Sequence, residues 1–560
     1  MNLRFGLVAA VALALVAPVE AAPGRTPKRS TKTSVKKRSG KRAVPSKRGA
    51  AARVSFARKG ELRTAGEPVG RRREPLTLEE ETAKQIADLL RTPGLRNGVT
   101  GLYVADARTG QPLFAVNADE PLNPASNVKM ISTAAALELL GPDFRYPTRL
   151  LGPAPVGGVV PGDVYLLGSH DPTLTTAHLD KLAAAMAARG ITAVDGDIVV
   201  GGDPTRDGIF RAMIPIEIVA GEPGKPPTVS VPVGADHVSV VVKATTHKRS
   251  TRSRLRYHVE TVEPDGKPPV VQLTISGTIG KGRSTRYALW TRERTATAVY
   301  ALRAALRAHH VAITGDMKVQ ELEEFTAASA ARGALPVELA RHESRRLAEI
   351  VARINKWSIN WLADRVIMTA AALSRQQPPS MDLAIEAMYG WLARHPHLAP
   401  KGIVLDTGSG LSYKTQITPA EIVAVIRSAA GFTEDDVDPA LAQAWLDSLA
   451  IARRDGTLRG RLRGTDARVR GKTGTLSTVI AMSGVLEVDA ARPLAFSLVT
   501  NTDTPLSKHR VRQAHDKVMR ILSEYLAKAG SSTAPTELPS DEPVDVEPLD
   551  PYDLDDSAPN

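Results

Sequence analysis

The sequence predicts an α/β body interrupted by inserted α+β material. Three observations point there. Helical periodicity occupies two separated stretches, short β-rich runs between Gly- and Pro-rich turns fill the gap, and two apolar strands with a last helix close the body. Beyond the body, both ends are rich in charge, Pro and Ser, with too few apolar residues to fill a core.

At the amino end, Met1 to Arg4 form a short positive region, Phe5 to Ala17 an apolar run, and Val19-Glu20-Ala21 sets small residues where a signal peptidase reads. This pattern predicts a secretory signal peptide over 1–21, and hence a periplasmic or cell-envelope location. The apolar run is too short for a membrane span. The chain has no cysteine, which excludes disulfides, thiolate nucleophiles and Cys-ligated metal. Residues 22–73 form a basic arm: between Gly24 and Arg73, eighteen Lys or Arg face only Glu61 and Glu67. Residues 531–560 form an acidic tail, with nine acidic and no basic residues from Glu537 to Asn560. Both are expected to be disordered. An exported basic arm meets anionic lipids or wall polymers, so residues 24–73 are expected to contact those, or to serve as a solvated linker, rather than bind nucleic acid.

The first part of the body spans 74–145. Thr77 can cap a helix whose Glu79 to Glu81 suit its positive end, with Pro93-Gly94 as its stop. A hairpin follows, Gly101 to Ala105 and Pro112 to Val116 around a turn at Arg108-Thr109-Gly110, then a helix over Ala125 to Leu140 ended by Gly141-Pro142. The insert, 146–341, shows β-rich runs at Val164 to Leu167, Asp197 to Val200, Val238 to Val242 and Val270 to Ile275, with helices near Leu179 to Arg189 and Thr295 to His309. The second part of the body spans 342–530. Helices are expected over Ser344 to Leu373 (with a break), Met381 to Arg394, Pro419 to Ala429 and Pro439 to Leu449. Strands follow near Thr478 to Val488 and Leu494 to Asn501, and a helix over Ser507 to Lys528.

Three short motifs carry candidate chemistry. In Ser126-Asn127-Val128-Lys129, helical spacing puts hydroxyl and amine on one face, so the amine can take the serine proton. Alone this pattern is weak, since a capping serine followed by a surface lysine reads the same way. Ser34-Val35-Lys36-Lys37 repeats it in the basic arm. Ser358-Ile359-Asn360 sits at a helix break, where a hydroxyl and an amide could relay a proton and hold a carbonyl. In Lys472-Thr473-Gly474, before an apolar strand, the glycine permits close substrate approach and the cation and hydroxyl can bind a carboxylate.

Ser-x-x-Lys, Ser-x-Asn and Lys-Thr-Gly in this order resemble the signature of penicillin-binding proteins and class A β-lactamases. More of the chain is similar to one branch, the class C low-molecular-mass penicillin-binding proteins of the DacB type, D-Ala-D-Ala carboxypeptidase/endopeptidases. Pro124 to Lys129, Leu140 to Phe144, Asp195 to Val200, Gly408 to Ser412, Asp455 to Leu458 and Gly471 to Leu476 all resemble its landmarks. That branch also carries inserted domains between its first two motifs, here 232 residues apart from Ser126 to Ser358.

The resemblance implies a penicillin-binding/serine β-lactamase-like transpeptidase fold, helices packed on an antiparallel sheet. It implies a penicillin-sensitive serine D-Ala-D-Ala carboxypeptidase or D,D-endopeptidase that works on peptidoglycan peptides through an acyl-enzyme. Ser126, Lys129 and Ser358 would be catalytic, with Lys129 as a base whose pKa burial and Lys472 would lower. Asn360, Lys472, Thr473 and Gly474 would hold substrate, and the backbone N–H groups of Ser126 and Thr475 would hold the oxyanion. No cofactor or metal is implied, and the pairs His309-His310 and His395-Pro396-His397 are expected to be surface residues. A β-lactamase-like esterase or a non-catalytic envelope scaffold are the competing readings. The chain departs from the branch at Ile359, at Thr407 (with Asp406 one residue early) and at Asp364. It also lacks the expected Trp-rich segment after Asp203, reading Ile-Pro and Gly-Pro over Ile209 to Pro227. A weak pocket for the substrate side chain is the expected consequence.

Overall fold

The computed structural model describes residues 76–529 except 93–94, 96–97, 202–212, 233–234, 236, 251–252, 263–269, 291–293, 396–401, 434–436, 489–491 and 506. The signal peptide, basic arm and acidic tail lie outside the described residues, as do Pro93-Gly94 and His397.

The catalytic sheet is antiparallel, in the order Ala450–Ile451, Arg468–Thr475, Val479–Glu487, Leu494–Asn501, Val99–Asp106 and Pro112–Val116. Its middle strand, Val479–Glu487, is buried throughout, as a strand covered on both faces must be. Alternation decides what each face meets. Ala481, Val485, Ala495 and Val499 face the larger helical layer, built from Lys129–Leu140, Leu347–Trp357, Asn360–Arg375, Met381–Arg394, Pro419–Ala429 and Pro439–Asp447. Met482, Leu486, Phe496 and Leu498 face the two terminal helices, Leu78–Leu90 and Lys508–Ala529. The smaller set lies under the layer that carries Ser126.

Local chemistry fixes the element ends. Thr77 and Glu80 form the capping box that starts the first helix, with bonds of 3.2 and 3.1 Å. Thr418 and Glu421 do the same for Pro419–Ala429. The expected helix over Ala125 to Leu140 begins differently: Ala125–Val128 is a 3-10 turn, and the α-helix starts at Lys129. The expected stretch from Ser344 to Leu373 is two helices, split where Ser358 adopts φ 62°.

The insert enters and leaves by neighbouring antiparallel strands, Pro147–Gly152 and Val337–Glu343. They close a five-stranded sheet ordered Met317–Val319, Ile198–Val200, Val164–Leu167, Pro147–Gly152, Val337–Glu343. Helices Thr176–Ala188 and Arg294–Ala308 cover one face, and Phe325 of Leu322–Ala331 packs on Tyr165 and Val199 on the other. Beside a small parallel sheet of Val159–Val160, Ala193–Val194 and Ala312–Ile313, the insert holds a small β-sandwich. The sheet Val238–His247, Val270–Gly280, Arg254–Val262 shares an apolar core with the sheet Ser284–Trp290, Met213–Val219, Thr228–Ser230. The described residues of this piece form strands and turns, and with the helix-covered five-stranded sheet they make the insert α+β as a whole.

Candidate active site

Ser126 sits on the 3-10 turn at the mouth of the catalytic sheet. One local and one tertiary hydrogen bond set that turn. Asn123 Oδ1 accepts the Ala125 N–H at 2.8 Å, and Asn123 Nδ2 donates to the Ser412 carbonyl at 2.7 Å. Ala125 is held at φ 47°, a region costly for a residue with a Cβ. Two glycines make room for it. A Cβ on Gly410 would lie 2.1 Å from the Ala125 carbonyl oxygen, and one on Gly474 would lie 2.7 Å from that of Pro124. The loop and the strand thus approach the Ser126 turn as only glycine allows.

Lys129 is fully buried one turn on, at the start of the α-helix. Its Nζ donates to Ser126 Oγ at 2.9 Å, to Asn360 Oδ1 at 2.5 Å and to the Ser409 carbonyl at 2.7 Å. These acceptors come from three separate segments. Lys472, also fully buried, donates to Ser358 Oγ and to the Thr473 carbonyl, both at 2.7 Å. Burial, together with the Lys129 charge, holds the Lys472 ammonium well below the ordinary lysine range. Ser126, Ser358, Asn360, Thr473 and Thr475 are all half-buried, around the two hidden amines. Thr473 Oγ1 meets Thr457 Oγ1 at 2.8 Å. The short strand Ala450–Ile451 pairs with Gly471 and Arg470, so among the described residues the edge of Lys472 to Thr475 beyond it has no strand neighbour.

The departures from the family pattern have clear places. Ile359 is buried in the helical core, so its two half-buried neighbours alone face the site. Thr407 Oγ1 accepts the Gly410 N–H at 3.0 Å, and Asp406 takes the Ser412 hydroxyl at 2.6 Å, so the two together hold the loop. Asp364 accepts the Ser409 N–H at 2.7 Å. Burial raises its pKa, against the opposing pull of Ser409 and the Lys129 charge. Through Ser409 it fixes one of the three acceptors of Lys129. Sequence reasoning assigned no role to Asn123, Asp364, Ser409 or Thr457, although the Gly408 to Ser412 and Asp455 to Leu458 segments had been singled out. Lys356 on Asp455 at 2.6 Å anchors the second of these beside the Ser358 turn.

In the insert, Glu217 is an exposed strand residue and Glu222 an exposed turn residue, while Arg206, Asp207 and Arg211 lie outside the described residues. His309 pairs with Asp180 at 3.1 Å. His395 is buried rather than on the surface, because its ring bonds Glu138 at 3.2 Å and packs on Trp391. Among the described residues no three His, Asp or Glu gather to hold a metal ion.

The model of the D-Ala-D-Ala carboxypeptidase 3 (S13) family matches residues 82–206 and 207–525. The D-alanyl-D-alanine carboxypeptidase of Actinomadura sp. (strain R39) is 27% identical over 474 residues, covering 75% of this chain and 81% of that protein. Carboxypeptidase DacB of Mycolicibacterium smegmatis is 27% identical over 455 residues, covering 78% and 83%. Penicillin binding protein 4 (dacB) from Haemophilus influenzae, solved with a β-lactam, superposes with a TM-score of 0.58 at 20% identity, over 79% of this chain and 99% of that one. That likeness shows the penicillin-binding fold. With the family model spanning both catalytic stretches and the insert between them, the chain belongs to the D-Ala-D-Ala carboxypeptidase 3 (S13) family.

Proposed function

We propose that this protein is a serine D,D-peptidase that cleaves D-Ala-D-Ala ends or D-amino-acid cross-links of peptidoglycan through an acyl-enzyme on Ser126. The observation that carries the reading is the buried Lys129 amine 2.9 Å from a half-buried serine hydroxyl, with a second buried lysine in the same site. Burial and the neighbouring Lys129 charge hold the Lys472 ammonium well below the ordinary lysine range, so the two charges repel and favour loss of a proton from the pair. Once Lys129 has lost the hydrogen it directs at Ser126, its two remaining N–H groups keep Asn360 and Ser409 and its lone pair takes the Ser126 proton as Oγ bonds the penultimate D-Ala carbonyl carbon. The resulting oxyanion lies between the N–H groups of Ser126 and Thr475. Lys472 donates to Ser358 Oγ, so as the Ser358 hydrogen passes to the departing amine the Lys472 ammonium replaces it. Asn360 holds both Lys129 and the peptide, and Thr473 with Lys472 takes the terminal carboxylate. Gly474 keeps the strand close enough for the substrate to lie along its open edge. Water then hydrolyses the ester and restores Ser126. A β-lactam acylates the same oxygen, but its leaving group stays tethered.

Labelling with fluorescent penicillin, followed by a muropeptide digest read by mass, tests this. The expected result is a labelled protein and products lighter by one D-Ala or cleaved at a cross-link. Rapid turnover of a cephalosporin with intact muropeptides would favour a β-lactamase-like esterase, and neither labelling nor cleavage would leave only an envelope scaffold.

The location follows from the same reading. We propose export by the signal peptide to the periplasm or envelope, with arm residues 24–73 held by charge to anionic polymers or lipids. Among the described residues no helix is long and apolar enough to cross a membrane. Full-length protein should sediment with anionic vesicles or sacculi, and lose this as salt rises, whereas a chain starting at Glu74 should not.

A further inference from the structure

Ser358, whose hydrogen passes to the departing amine in the reading above, sits in the left-handed backbone region at φ 62°. One helix ends there and the next begins two residues on. A residue with a Cβ stays in that region only where its surroundings over-determine it. Here the hold comes from Lys356, in the last turn of Leu347–Trp357. Its side chain is 6% exposed, and its Nζ donates to Asp455 Oδ2 at 2.6 Å and to the Leu449 carbonyl at 3.3 Å. A buried cation that lost this carboxylate would be left largely uncompensated, so the pair is costly to open.

The ion pair closes a ring of contacts that runs through Lys472. Asp455 Oδ1 accepts the Ile451 N–H at 2.7 Å, and the Asp455 N–H returns to the Ile451 carbonyl at 3.1 Å. Ala450 and Ile451 pair with Gly471 and Arg470, the two residues just before Lys472. Lys472 Nζ then reaches Ser358 Oγ at 2.7 Å. A Cβ on Gly456 would collide with the Lys356 carbonyl oxygen, so the loop after Asp455 lies directly against the helix end. Ser358 and the amine that bonds it are thus fastened to one short strand, the amine through the sheet and the serine through Lys356.

We propose that Lys356 and Asp455 are positioning residues for leaving-group protonation, holding Ser358 where it can give its hydrogen to the departing amine and take one from Lys472. The inference deepens the D,D-peptidase reading and rests on it. As the C–N bond breaks, its electron pair takes the Ser358 hydrogen, and the Ser358 oxygen takes a proton from the Lys472 ammonium. The Ser126 proton has by then moved to Lys129, so the two lysines together carry the same charge before and after. Such a relay matters in proportion to how poor the leaving group is: an amine needs the proton in order to leave, whereas a thiolate does not.

The test uses the full chain as wild type, Lys356→Met, Lys356→Arg, Asp455→Asn and Ser358→Ala. Two substrates share one acyl group: an acylated D-Ala-D-Ala peptide and the matching 2-thiolactate thiolester, which differs from it in the leaving atom. Lys356→Met should lower kcat/KM for the peptide by about 10- to 100-fold, the cost of a misplaced proton donor, and for the thiolester by less than about threefold. The peptide-to-thiolester ratio does not depend on how much of a variant is folded, so a destabilised variant still gives an answer. Asp455→Asn should shift the ratio in the same direction, and Lys356→Arg should recover part of it. Ser358→Ala should lose at least as much of the ratio, and adding Lys356→Met to it should change the ratio little. Equal losses on the two substrates, no loss on either, or a full further loss in the Ser358→Ala background would overturn the inference while leaving the peptidase reading in place. If the wild type turned over neither substrate, the peptidase reading would fall and the inference with it.

Discussion

The catalytic domain and the insert bury very different things. Around the catalytic sheet, Lys129, Lys356, Arg470, Lys472, Glu487 and Asp106 are all buried. In the insert, Asp171 is the one buried Asp, Glu, Lys or Arg among the described residues. Withdrawing a charge from water costs several kcal/mol unless partners replace the solvent. The catalytic domain supplies them: three acceptors surround Lys129, and Lys356 has Asp455 and the Leu449 carbonyl. The insert instead follows ordinary apolar packing, as in the Ile214, Ile216, Ile218, Leu273 and Ile275 core of its sandwich. Hidden charge therefore marks the region where chemistry is done, and its near absence marks a region built for shape.

If that contrast is right, the largest effects belong to the charged cluster. Ser126→Ala should abolish covalent labelling by fluorescent penicillin while circular dichroism and melting stay those of wild type. Labelling that persists on another serine would remove Ser126 as nucleophile. Lys129→Met should slow acylation by about 10² to 10⁴, the usual span for losing a positioned base, measured by stopped-flow with a chromogenic β-lactam. In the wild type, acylation should rise with pH as the lysine pair gives up its proton. Because the Lys472 pKa is depressed, the midpoint should fall well below 10.5. A rate flat with pH across that range would mean that the lysines are not involved.

The exception in the insert sharpens the comparison. Asp171 Oδ1 accepts from Thr173 N and Oγ1, but Oδ2 is buried without a hydrogen-bond partner among the described residues. Burial raises its pKa from 3.8 to about 6. The folded state thus holds this proton more tightly than the unfolded chain, so stability falls as pH rises from about 4 to about 6 and then levels off. The drop should be about 3 kcal/mol, and Asp171→Asn should flatten it in urea titrations at pH 4 and 7. A slope unchanged by the substitution would place the burial penalty elsewhere. The smallest effect expected concerns specificity. With Glu217 and Glu222 exposed rather than gathered into a pocket, peptides with and without the free side-chain amine should differ in kcat/KM by less than about tenfold. A hundredfold preference would show a recognition site in the insert after all.

What the sequence revealed follows the range of the interactions. Helices Met381–Arg394 and Pro419–Ala429 were legible to the residue, because local caps and periodicity set them. All three motifs were legible, since each is a short run whose spacing carries its chemistry. The 3-10 turn at Ser126 was not, because Gly410, far along the chain, permits Ala125 its left-handed φ. Nor were the contacts from Asp364 to Ser409 or from Arg512 to Thr475, which are 45 and 37 residues apart. The strand Met213–Val219 was hidden by Pro215, which reads as a strand breaker. It is tolerated where Thr228–Ser230 does not reach and only Ala288 lies opposite.

Tyr146 and Ser344, at the two ends of the insert, trade hydrogen bonds: Tyr146 N–H to Ser344 Oγ at 2.9 Å and Ser344 N–H to the Tyr146 carbonyl at 3.0 Å. For the rest of the molecule nearly two hundred residues thus occupy the place of one tight turn. A segment joined this way can be lengthened, shortened or exchanged at the level of the gene without moving either flank, because the ends to be rejoined stay about 5 Å apart whatever lies between them. Chain length and catalytic geometry are, at this junction, separately heritable.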